Sequence, residues 1–129
     1  MKPNEYQQLA LRTENTPDFL DRSGDAPFVK GRERLLHGVI GVCTEAGKLQ
    51  DGLKRELFYG KELDAVNVLE ECCGDLLWYI ALTLDSCAYS MEEAMEKNIA
   101  KLRKRYPEKY SDEQAIGRDH DAERKVLEG

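Results

Sequence analysis

Between Arg32 and Phe58 the apolar residues Leu35, Val39, Val42, Ala46, Leu49 and Leu53 recur at steps of four and three. That is the spacing of one face of an α-helix, whereas a strand would alternate at every second residue. Gly60, just past the periodic segment, is a residue suited to the left-handed position that closes helices. A second periodic stretch, from about Asp64 to Cys87, sets Val66, Leu69, Cys73, Leu77, Ile80 and Leu84 on one side. Leu76, Trp78 and Leu82 make it apolar on further sides, so it is expected to be a central or oligomer-facing helix. Ser90 and Glu93 frame a capping box, "SMEE", that opens another helix carrying Ala94, Ile99 and Leu102 and ending before Pro107. Asn4 is expected to cap a first helix with Tyr6, Leu9 and Ala10 as its apolar side. Residues 13–31, rich in proline, glycine, aspartate and asparagine, read as a loop. Residues 107–129 read as a polar tail with one short helical hint. No segment reads as a strand, and the expected architecture is an all-α bundle.

Chain length allows one domain with a real core, over residues 1–129, and not two. The balance of 19 basic against 25 acidic residues gives a net charge of −6. That balance argues against general binding to nucleic acid polymers or anionic membranes. A polyanion held locally would need a divalent cation between it and the protein. No apolar run approaches the roughly 20 residues of a membrane span. The opening "MKPNEYQQLALRTEN" lacks the apolar core of a signal peptide, so the cytoplasm is the expected compartment. Cys43, Cys72, Cys73 and Cys87, with only His37 and His120 beside them, fit no zinc spacing. Neighbouring Cys72 and Cys73 would point about 100° apart on a helix. The cysteines are therefore read as small hydrophobes.

The stretch "LEECCGDLLWY", residues 69–79, places acids inside an apolar run. Glu71 and Asp75, four apart, share a helix face. Glu45 lies beside the apolar stripe of the preceding helix, and antiparallel packing would bring the three carboxylates together. Carboxylates so grouped repel one another unless a cation joins them. Oxygen-only donors select a hard ion, magnesium or manganese, whose open positions suit phosphate. By spacing alone, acids beside a helix stripe are usually just a solvated face. Asn98, Lys101 and Arg105 recur at three and four and form one polar face.

Taken in order, "EYQQLALRT", "TEAGKLQDGLK", "FYGKELD", "LEECCGDLLWYIAL", "NIAKLRKRYPEKY" and "RDHDAERKVLEG" resemble the MazG-like all-α nucleoside triphosphate pyrophosphohydrolases over nearly the whole chain. The resemblance implies a four-helix-bundle-type fold that pairs into a homodimer or homotetramer. It also implies hydrolysis of (deoxy)nucleoside triphosphates to the monophosphate and pyrophosphate, with magnesium held by Glu-x-x-Glu on one helix and Glu-x-x-Asp on the next. Glu45 matches the first glutamate and Asp75 the aspartate. Lys48 stands where the second glutamate is expected, and Cys72 stands three residues before Asp75.

The motif "EECCGD" is one residue longer than the family's pattern, and an added helical residue is commonly absorbed as a π-bulge. A bulge between Glu71 and Gly74 would return Glu71 to the ligand position, and magnesium prefers its oxygens to the sulfur of Cys72. On this basis Glu45, Glu71 and Asp75 are the expected metal ligands, with Glu45 or Glu71 activating water. Lys48, Tyr79, Asn98, Lys101 and Arg105 are the expected substrate contacts. Trp78 and His37 read as structural. Lys48 leaves three readings open: direct contact with the triphosphate, loss of one metal, or a relative that binds nucleotide without cleaving it. A catalytically weakened nucleotide-binding or protein-interaction module is thus the alternative to an enzyme.

Overall fold

Helix α1 (Pro3–Leu11) begins at a proline, whose fixed φ and missing N–H suit the first helical position. The helix thus starts ahead of Asn4, and the Glu5 carboxylate reaches back to accept the Lys2 backbone N–H at 3.2 Å. The computed structural model describes residues 1–15 and 31–129. Most of the loop expected at 13–31 therefore lies outside the described residues. Every regular element among those described is a helix, which agrees with the all-α expectation. No helix among them is long and apolar enough to cross a membrane.

Helix α2 (Glu33–Tyr59) ends on Gly60 at φ 64°, the left-handed closure predicted from the sequence. At the next start, Asp64 accepts the Asn67 N–H at 3.0 Å. The chain there forms a π-helical turn, Ala65–Glu70, before continuing as α3 (Glu71–Ser86). The described residues form two compact units, Met1–Ser90 and Met91–Gly129. The second holds α4 (Met91–Arg105), α5 (Asp112–Ile116) and α6 (His120–Glu128). Ser111 and Asp119 cap the last two through the Gln114 and Ala122 N–H groups. The tail is thus more helical than its polarity suggests, because both short helices have side-chain caps.

In the first unit glycines of α2 lie directly against α3 and the π-turn before it. A methyl group at Gly38 would run into Thr83, one at Gly41 into the Tyr79 ring, and one at Gly52 into Val68. Partner numbers fall as α2 numbers rise, so the pair is antiparallel. This seam corrects the expected inward faces. The buried residues of α2 are Gly38, Gly41 and Glu45, while Val39 and Leu53 remain about half exposed, at 47% and 49%. On α3, Cys72, Ala81 and Leu82 are buried and Leu77 and Ile80 are exposed, as is Leu69 in the π-turn before it. Glycines permit close backbone approach, so the helices join there, with Leu35, Val42 and Leu49 half-buried beside the seam and Val39 and Leu53 turned outward. Of the four cysteines only Cys72 is buried, so the space-filling expectation does not hold for Cys43, Cys73 and Cys87.

Helix α1 is fastened to α3 by hydrogen bonds. The Trp78 indole N–H donates to the Ala10 carbonyl and the Thr13 hydroxyl, both at 2.9 Å. The buried Gln7 amide donates to the carbonyls of Ala81 (3.2 Å) and Tyr89 (3.1 Å). Arg34 ties α2 to both neighbours, gripping Glu14 through two nitrogens at 2.6 and 2.8 Å and Asp85 at 2.7 Å.

Candidate functional site

Glu45 is the exception in the glycine seam. It occupies the same face of α2 as Gly38 and Gly41 and is only 4% exposed. Its Oε1 accepts a hydrogen bond from the Lys48 ammonium at 2.8 Å. Its Oε2 is buried with no hydrogen-bond partner. A buried polar atom without a partner carries its desolvation penalty uncompensated, and such atoms in folded proteins call for an explanation.

Cys72 is the residue of α3 that faces this carboxylate. Burial pushes its thiol pKa up, and the negative charge of Glu45 adds to the rise, against an opposing pull from Lys48. The reason is helical register. The π-turn lies at Ala65–Glu70, ahead of Glu71, whereas the extra residue of "EECCGD" was expected to be absorbed after it. From Glu71 onward the helix is regular, so Cys72 stays three residues before Asp75 and enters the seam. Glu71 and Asp75 are exposed. Among the described residues no three histidine, cysteine or acidic side chains converge closely enough to hold a metal ion. Cys72, three residues before Asp75 in an unbroken Cys-x-x-Asp spacing, is thus the side chain of α3 placed beside Glu45.

Lys48, whose side chain is 57% exposed, has its pKa raised mainly by the Glu45 hydrogen bond. Desolvation opposes the rise, and the charges of Glu45, Cys72 and Asp75 add to it. Asp75 also reaches Tyr6 of α1, whose phenol pKa is raised by burial first and by Asp75 second. The Tyr6 hydroxyl donates to the Gly74 carbonyl at 3.4 Å. Glu45, Lys48, Cys72, Asp75 and Tyr6 therefore share one electrostatic neighbourhood, with Tyr6 unforeseen from the sequence.

Tyr79 packs over Gly41 and, with Trp78 and His37, forms an edge-to-face trio with ring centroids 5.1 to 6.0 Å apart. Such a cluster fixes the seam's upper end. The remaining expected contacts belong to the second unit. Asn98 is exposed and Lys101 half-buried on α4. Arg105 is only 14% exposed and grips Glu123 of α6 through two nitrogens at 2.7 and 2.8 Å. Arg118 holds the same carboxylate at 2.7 Å. These bonds drive the Glu123 carboxyl far below its ordinary value, against the effect of burial. Comparisons with protein-family models, curated proteins and solved structures find no match.

Proposed function

We propose that this chain hydrolyses (deoxy)nucleoside triphosphates between the α and β phosphates, giving the monophosphate and pyrophosphate. The support is the ordered series of segments resembling MazG-like pyrophosphohydrolases, together with one observation: the buried, unpartnered Oε2 of Glu45 beside Lys48 and Asp75. A structural carboxylate would have both oxygens satisfied. One left bare in a helix seam is suited to accept a proton.

As arranged, the donors do not fit a resident magnesium ion. Lys48 already engages one Glu45 oxygen, Cys72 brings sulfur to the seam, and no three ligand-type side chains converge among the described residues. Magnesium, or manganese in its place, is therefore assigned to the substrate as the metal–triphosphate complex. The exposed carboxylates of Glu71 and Asp75 supply its protein contacts. Lys48 contacts the phosphates as a point charge. Glu45 Oε2 takes a proton as water oxygen bonds to the α phosphorus. The bond from that phosphorus to the bridging oxygen breaks, and pyrophosphate leaves with both electrons.

Asn98 and Lys101 keep the nucleotide contacts that the resemblance gives them, and Tyr79 the sugar and base. Arg105 is reassigned: two of its three guanidinium nitrogens are bound to Glu123, and it holds the tail. The outward apolar side chains of α2 and α3 pack against a second copy, giving a homodimer or homotetramer that completes a four-helix-bundle-type unit in the cytoplasm.

Lys48 on Glu45 favours a second reading, a nucleotide-binding homologue with weakened catalysis. Pyrophosphate release from a panel of dNTPs with magnesium or manganese separates the two. Turnover in the native chain that disappears in Asp75→Ala supports the enzyme. No native turnover, with activity appearing in Lys48→Glu, supports the weakened homologue. Failure of both proteins to bind any nucleotide removes both readings.

A further inference from the structure

We infer that the standing cation of this site is the Lys48 ammonium, so that the protein accepts a divalent ion only together with a polyphosphate. The inference rests on the nucleotide reading above and specifies the form of its substrate. Glu45 is 4% exposed, and a carboxylate so buried needs a positive partner. Lys48 supplies it from one helical turn away, at 2.8 Å. A tethered cation has no entropy of capture and cannot diffuse off.

The pair sums to zero formal charge, and the seam has lost the attraction that two acids would exert on a free divalent ion. A divalent ion approaching the same carboxylate would be repelled by the ammonium and would meet the Cys72 sulfur where a hard ion requires oxygen. A triphosphate reverses this balance, since it brings both negative charge and oxygen donors. The ammonium carries three N–H groups, of which the bond to Glu45 uses one, and its side chain is 57% exposed. It can therefore meet a phosphate oxygen without releasing Glu45.

The test follows Mn2+ by its free-ion electron paramagnetic resonance signal, with the full chain and no turnover. Four α,β-imido deoxynucleoside triphosphates serve as the nucleotide probe. Wild type alone should leave the free Mn2+ signal nearly unchanged, and each bound analogue should carry Mn2+ onto the protein. Lys48→Glu should take up Mn2+ without nucleotide at least about tenfold more tightly than wild type. Lys48→Met, neutral and close to lysine in shape, should fall between them and guards against misfolding of the glutamate variant. The inference is overturned if wild type alone binds Mn2+ as tightly as either folded variant. That result would leave the nucleotide reading standing. If no analogue binds with or without Mn2+, the nucleotide reading and the substrate half of the inference fail together.

Discussion

Glu45 in the first unit and Glu123 in the second are equally buried, at 4% exposure each, yet they are partnered in opposite ways. Glu123 receives two guanidinium groups, from Arg105 and Arg118, and both of its oxygens are bonded. Glu45 receives one ammonium on one oxygen and nothing on the other. Equal burial therefore conceals different roles. A carboxylate saturated by forked donors is a structural tie, whereas one left half-bonded is held at a cost in stability. Proteins accept such costs chiefly at functional sites.

The sharpest way to break this comparison is to remove each charge while keeping the shape. Glu45→Gln should lower pyrophosphate release by about 100-fold to 10,000-fold, the range for loss of a general base. Its melting temperature should stay level or rise, because a buried charge with an unsatisfied oxygen has been removed. Glu123→Gln should do the reverse, retaining chemistry at the first unit and lowering the melting temperature. Steady-state kinetics and calorimetry on the two variants decide the matter. If Glu45→Gln melts as low as Glu123→Gln, the distinction between tie and site is wrong.

The sequence readily yields the extent of the helices and little of their orientation. Gly60 and the three-and-four periodicity locate the end of α2 correctly, because caps and periods are local properties. The inward faces differ from the expectation because an apolar stripe does not by itself fix which of its residues meet the chain's own core. In the structure the seam follows Gly38, Gly41 and Gly52, and Val39, Ala46 and Leu53 of the stripe are exposed while Leu35, Val42 and Leu49 are half-buried. Periodicity shows that one side is apolar and cannot say which neighbour covers it. The π-turn is a similar case. An extra residue signals a bulge somewhere, but its position depends on the Asp64 cap and the packing of Val68, which no spacing encodes. Arg105 looked free for phosphate because its partner, Glu123, lies 18 residues on in a tail that reads as polar.

A smaller effect sharpens the glycine seam that carries Glu45. In Gly41→Ala the added methyl meets the Tyr79 ring directly, and Tyr79 is itself wedged against His37 and Trp78. Overpacking of this kind costs about 1–3 kcal/mol. Gly47→Ala has open space at its Cβ and should be neutral or slightly stabilising through helix propensity. Urea denaturation of both variants checks the pair. Equal stabilities would mean that the seam is looser than its geometry implies. On the outward side, Phe58 is 76% exposed and Leu57 69%. Phe58→Glu should shift the sedimentation coefficient toward a single chain without unfolding α2. An unchanged assembly would mean that a different face is used.

The smallest effect concerns the tie itself and follows from pH. Bonding to Arg105 and Arg118 lowers the folded-state pKa of Glu123 below its unfolded value. The folded form therefore binds this proton less readily than the unfolded chain does. The stabilisation is complete above the unfolded glutamate value of about 4.3, and it declines as pH falls below that toward the lower folded value. The arginines stay charged throughout and do not move this window. Helical Cα chemical shifts over His120–Glu128 should accordingly hold from pH 7 to about 5 and decay in more acidic solution. In Glu123→Gln the same shifts should already be weaker at pH 7, and the gap from wild type should close as acid protonates the native carboxyl. The gap should also narrow in high salt, because Arg118 is 35% exposed and its share of the attraction is screened. A gap that persists at low pH would assign the helix's dependence on Glu123 to packing, and the saturated carboxylate would lose its standing as an electrostatic tie.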